Sequence, residues 1–143
     1  MIIPDVNLLI YSYDETSAFH GKSRAWLLSC LEDDEPFGLA MSTIVAFYRL
    51  TTDSRVFRTP LTLEQAAAAI DALLAHDRAI VLQPGERHLA IFTQLVLAAR
   101  ATRDLIPDAH LAALAVEHGG IVCTNDHDFD RFANVNVQYP LAT

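Results

Sequence analysis

The chain has 143 residues, 52% of them hydrophobic, and a net charge of −8; this is the length of one ordinary domain (residues 1–143), enough to bury a core. That charge excludes a protein that binds nucleic acid by surface basicity alone, yet two bound divalent cations would bring −8 to −4 and reverse its sign locally. No apolar run approaches the ~18 residues that cross a membrane, and no basic segment precedes an apolar one at the N-terminus. Cys30 and Cys123 make no disulfide framework, so both are expected to be reduced and buried in a cytoplasmic protein, with the surplus apolar surface facing a partner chain.

Short strand-like runs alternate with longer helix-like ones. Met1–Pro4 reads as a buried strand, and residues 6–13 and 18–32 as helices. Residues 37–40 form a second strand, after which Ser42 or Thr43 can cap a helix to about Thr52. Thr62-Leu63-Glu64-Gln65 is a capping box opening a helix to about His76. Residues 79–82 form a third strand, and Pro84 starts a helix to about Thr102. A helix over residues 108–118 ends at Gly119-Gly120 and leads into a fourth strand, 121–124. Residues 135–139 offer a short fifth. Strands that are apolar throughout, alternating with helices, make an α/β fold: a parallel sheet of four to five strands covered on both faces.

In such sheets ligands sit beyond the carboxyl ends of the strands, near the point where strand order reverses. Asp5 directly follows the first strand, Asp126 follows the fourth, and Asp108 opens the helix leading into the fourth. If strands one and four are neighbours, these three carboxylates face one cleft. Each has an ordinary alternative: Asp5 and Asp108 as helix caps, Asp126 as a turn residue. Together, held against their mutual repulsion, they favour a divalent cation; oxygen ligands suit Mg²⁺ or Mn²⁺, and such a site activates water and orients a phosphodiester.

Other patterns are weaker. Asp126, Asp128 and Asp130 have EF-hand spacing, but Arg131 stands where glycine is required and Val137 where glutamate is, which rejects calcium. Asp128 remains a candidate further ligand. Gly21-Lys22-Ser23 imitates the end of a phosphate-binding loop, with Thr16 in place of the earlier glycine. His110 reads as a helix residue near the site rather than a general base. Arg49 and Arg55 follow the second strand closely enough to contact phosphates.

Three segments carry a resemblance across nearly the whole chain: Ile3-Pro4-Asp5-Val6-Asn7-Leu8-Leu9, Pro107-Asp108-Ala109-His110-Leu111-Ala112-Ala113-Leu114-Ala115, and Val122-Cys123-Thr124-Asn125-Asp126-His127-Asp128-Phe129. In this order and spacing the sequence resembles a PIN-domain ribonuclease of the VapC toxin type. The resemblance implies an α/β/α sandwich and metal-dependent endoribonuclease activity in a type II toxin–antitoxin pair. It also implies a small antitoxin over the active site, an RNA substrate and a homodimer. Asp5, Asp108 and Asp126 would hold Mg²⁺ (or Mn²⁺), Asp128 would be a more variable acid, and Asn7 and Thr124 would support the site.

The sequence departs from that family once. A glutamate is usual on the helix after the second strand, but Ala46 or Phe47 occupies its slot. This puts a second metal in question and leaves a catalytically weak binding module as an alternative. A phosphoryl-transfer or receiver-type domain is the other, although no acidic pair follows the first strand and Lys22 is the one lysine in the chain.

Overall fold

The computed structural model describes residues 1–142. Strands β1 (Ile2–Pro4), β2 (Phe37–Ala40), β3 (Ala79–Leu82), β4 (Ile121–Cys123) and β5 (Val137–Gln138) lie parallel in the order β3-β2-β1-β4-β5. The chain lays down β1 to β3 outward in one direction, then returns to place β4 and β5 on the other side of β1. Strand order therefore reverses at the β1–β4 boundary, where ligands are expected. Receiver domains use the order 2-1-3-4-5, so this topology argues against that alternative.

Helices α1 (Val6–Tyr13), α2 (His20–Glu32), α3 (Met41–Thr51) and α4 (Leu63–Leu74) bury Leu9, Leu27, Phe47 and Ile70 against one face of the sheet. Helices α5 (His88–Ala99) and α6 (Leu105–His118) cover the other, where Ile3, Ala112, Val122 and Phe129 meet. These two layers around the sheet are the expected α/β/α sandwich. Fully burying each of the larger of these side chains stabilises by roughly 1.5–3 kcal/mol. No helix among the described residues is long and apolar enough to cross a membrane.

The strand pairing fixes the site. Ile3 aligns with Val122 and Pro4 with Cys123, which sets Asp5 level with Thr124. Ile2 N donates toward β2 (Pro36 O, 2.8 Å) and Asp5 N toward β4 (Cys123 O, 2.8 Å). By alternation Pro4 faces β2, and it has no N–H to give. The β1–β2 ladder thus lacks a donor at the level where Asp5 emerges. At the opposite end, Gly119 closes α6 with φ 66°, and Gly120 lets β4 approach β1. A Cβ at Gly120 would stand 2.6 Å from Ile3 Cδ1 and 3.2 Å from the Met1 carbonyl oxygen.

Several boundaries differ from expectation. Helix α2 starts at His20 rather than residue 18, because Ser17 to Phe19 form a turn. Helix α3 starts at Met41 directly from β2, with no side-chain cap from Ser42 or Thr43. The capping box at Thr62 and Gln65 forms as expected. Pro84 does not start α5: Gly85 and Arg87 N–H groups bond to Glu117 instead, delaying the helix to His88, and left-handed Arg100 ends it early. Helix α6 opens at Leu105, so Asp108 lies inside its first turn rather than capping it. Cys30 is half-buried, not buried; Cys123 is buried, and both thiols are free.

Candidate active site

Asp5 ends β1 and caps α1. Its Oδ1 accepts from Val6 N at 2.7 Å, while Oδ2 accepts from Thr124 Oγ1 at 2.8 Å and from Asn7 Nδ2 at 3.2 Å. Thr124 Oγ1 also accepts from Asp126 N at 3.0 Å, and Asn7 Oδ1 from Asn125 N at 3.3 Å. The two segments that follow β1 and β4 are thus stitched together through Asn7 and Thr124, with Thr124 fully buried. Burial is the main cause of a raised Asp5 pKa, the hydrogen bonds oppose it, and the Asp126 charge adds to it.

A cleft of about 400 Å³ opens beside Asp5. From α3 it is lined by Ser42, Thr43, Ala46 and Arg49, and from α6 and its approach by Asp104, Asp108 and His110. Asp108 is pushed up to about 7, first by burial and then by the charges of Asp5, Asp126, Asp128 and Asp104. Asp126 and Asp128 do not line this cleft, although their charges reach Asp108. Asp126 Oδ1 instead accepts from Asp128 N at 2.9 Å, opening the 3₁₀ turn His127–Arg131.

Among the described residues, no three carboxylate, imidazole or thiolate side chains stand at the spacing of a closed metal shell. The complete three-aspartate shell expected from the sequence is therefore not preformed. Like charges repel, and Asp5 and Asp126 have each taken local N–H or O–H donors. The donor set still suits a hard cation: it is all oxygen, and a positive charge would relieve the repulsion that raises Asp108.

On α3, Ala46 lines the cleft, whereas Phe47 is fully buried in the core layer that α3 itself covers. Arg49 lines the cleft. Arg55 does not; it is highly exposed and bonds bidentately to Asp53. That pairing holds the Asp53 carboxyl below its ordinary range and removes Asp53 as a stand-in for the absent glutamate. Ser23 is buried, donating to Leu8 O at 2.6 Å, so the Gly21-Lys22-Ser23 match has no phosphate to bind.

The sequence reading missed Asp104, although its spacing four residues before Asp108 is a same-face helical signal. It also missed a polar chain behind His110. His88 Nε2 lies 2.9 Å from His110 Nδ1, and His88 Nδ1 lies 4.0 Å from Glu117 Oε1.

Residues 2–135 match the model of the PIN domain. Ribonuclease VapC43 of Mycobacterium tuberculosis is 40% identical over 141 residues, spanning 99% of this chain and 96% of the relative. Ribonuclease VapC25 of the same organism is 38% identical over 135 residues, spanning 94% and 95%. The solved VapBC-1 structure from nontypeable Haemophilus influenzae superposes with TM-score 0.72 at 18% identity, covering 99% of this chain and all of that one. The order of the sheet, the aspartates at its reversal point and the near-complete coverage agree: this chain belongs to the PIN domain family and resembles its VapC ribonucleases along almost its whole length.

Proposed function

We propose that this chain is a metal-dependent endoribonuclease that hydrolyses RNA phosphodiesters as the toxin of a type II toxin–antitoxin pair. The observation that carries the reading is Asp108, raised to about 7 by burial and four neighbouring carboxylates at the sheet's reversal point. Asp5, Asp108 and Asp126, with Asp128 alongside, would hold a divalent cation of the Mg²⁺ or Mn²⁺ class, which would supply Lewis-acid polarisation at a phosphodiester.

The chain's own residues do the rest. Thr124 and Asn7 fix the orientation of Asp5 and tie it to the backbone of Asp126. Arg49 offers a planar fork to a phosphate from the opposite wall. A small antitoxin is assigned to the α2–α3 side, where Leu28 and Val45 are 46% and 56% exposed. A second copy is assigned to α5, where Leu89 and Leu97 are 72% and 62% exposed.

The test uses antitoxin-free protein on total bacterial RNA, with Mg²⁺, Mn²⁺ or EDTA, and maps new 5′ ends. Discrete cuts that vanish with EDTA and in Asp5→Asn are expected. Ala46 in the acidic slot favours a second reading, a PIN fold kept for binding; RNA retention without cleavage by any metal would establish it.

A further inference from the structure

The wall of the cleft beside Asp108 carries a polar chain with no part in holding a cation. His88 is buried at the start of α5, and its Nδ1 is, among the described residues, the one buried side-chain nitrogen or oxygen without a hydrogen-bond partner. That nitrogen faces the Glu117 carboxylate at 4.0 Å. Glu117 is itself pinned by Gly85 N at 2.7 Å and Arg87 N at 2.9 Å, which hold its carboxyl below the ordinary range and keep it an acceptor. On the far side of the ring, His88 Nε2 meets His110 Nδ1 at 2.9 Å. His110 lines the cleft two residues from Asp108, and among the described residues its Nε2 has no hydrogen-bond partner and is not buried.

Hydrogen-bond chemistry orders this chain. An imidazole pair needs one donor and one acceptor. A bare His88 Nδ1 lone pair against a carboxylate is repulsive, so the His88 proton belongs there. Burial lowers the His88 pKa, which leaves that ring a single proton at neutral pH. His88 Nε2 must then accept, His110 Nδ1 must donate, and His110 Nε2 is left as a lone pair open to the cleft. A phosphodiester has no proton to donate to it. In RNA the donor carried by every sugar next to the phosphate chain is the 2′-hydroxyl; base edges lie further out.

We infer that Glu117 and His88 lock His110 in the tautomer that presents Nε2 as a bare acceptor, and that this nitrogen takes a hydrogen bond from the ribose 2′-hydroxyl beside the scissile phosphate. His110 is then a substrate-contacting residue that reads ribose, and His88 and Glu117 are positioning residues behind it. The inference rests on the nuclease reading above for its substrate, but not for its tautomer.

Two measurements test it. In ¹⁵N-labelled protein at neutral pH, imidazole ¹⁵N–¹H correlations should show His110 protonated on Nδ1 alone, shifting to the Nε2–H form in His88→Phe. A wild-type His110 protonated on Nε2 overturns the lock, whether or not any RNA is cut. Second, an RNA oligonucleotide spanning a mapped cut site is compared with the same oligonucleotide carrying one 2′-deoxy sugar 5′ to the cut. Wild type should lose about 3- to 10-fold in kcat/KM, the worth of one hydrogen bond. His110→Ala should lose a similar factor on RNA and show no further loss on the deoxy substrate; His110→Gln, which keeps an acceptor, should recover part of it. Equal deoxy discrimination in wild type and His110→Ala overturns the ribose contact. Unimpaired cleavage by Asp5→Asn would instead bring down the nuclease mechanism and leave the tautomer result standing.

Discussion

On one side of the cleft stand Asp5, Asp104 and Asp108, with Asp126 and Asp128 beyond them; on the other, α3 presents Ser42, Thr43, Ala46 and Arg49. Both walls rise from the carboxyl ends of parallel strands, yet they differ in sign. On the aspartate wall, burial and then the neighbouring negative charges raise one carboxyl to about 7. The α3 wall has no acid and one guanidinium. Position at a strand end thus gives a residue access to the cleft, and residue type decides what it could meet there: on the proposed reading, a cation on one wall and a phosphate on the other.

The sharpest way to break this contrast is Asp5→Asn. Asparagine Oδ1 keeps the cap on Val6 N, while its Nδ2 replaces the oxygen that accepts from Thr124 and Asn7, so circular dichroism should hold with a small drop in melting temperature. Cleavage should fall about 10²- to 10³-fold, the size of one lost electrostatic contact at a reacting centre. Retained cleavage would mean that the aspartate wall does not hold the cation. Thr124→Val should weaken Mn²⁺ binding by about 10- to 100-fold in titration calorimetry, because the hydroxyl that orients Asp5 and accepts from Asp126 N is gone. Unchanged affinity would assign that bridge to folding alone.

Arg49→Ala tests the other wall. KM for RNA should rise about 10-fold with kcat nearly constant, as for a contact made equally in ground and transition states. A fall in kcat at constant KM would place Arg49 at the reacting phosphate instead. The smallest effect concerns stability. Asp108 has a folded pKa of about 7, above its unfolded value, so between pH 4 and 7 the folded state holds a proton that the unfolded state has lost. Metal-free protein should therefore lose stability as pH rises through that window. After discounting for partial solvent exposure the loss is about 1–2 kcal/mol, or roughly 4 °C in Tm. Added Mg²⁺ should restore the higher-pH melting temperature; a flat profile would show that neither burial nor the neighbouring charges raise Asp108.

The sheet and Asp5 were legible in the sequence because both are local: an apolar run ends in an aspartate, and the next apolar run after a Gly-Gly stop ends likewise. Thr124 and Asn7 were legible through resemblance to family motifs. The start of α6 was not. Pro107 before Asp108 looks like a helix opening, whereas left-handed Arg103 turns the chain earlier and leaves the Asp104 side chain without a capping bond. Asp104 and Asp108 both line the cleft as a result. The pairing of His88 with Glu117 and His110 left no local trace, since it joins residues 22 and 29 apart on neighbouring helices, and α5 was expected to begin at Pro84.

Gly120 shows how far from the chemistry a fault could disable it. The pairing of β1 with β4 works as a ruler whose marks place Asp5 against Thr124, and Gly120 is its zero. Any side chain there must push back the Ile3 side chain and crowd the Met1 carbonyl, and where the backbone yields the scale shifts, moving Asp5 relative to Thr124 with neither altered. Survivors selected for escape from this protein's activity should therefore carry changes at Gly120 as well as at the acids, inactivated by misalignment rather than by loss of a ligand.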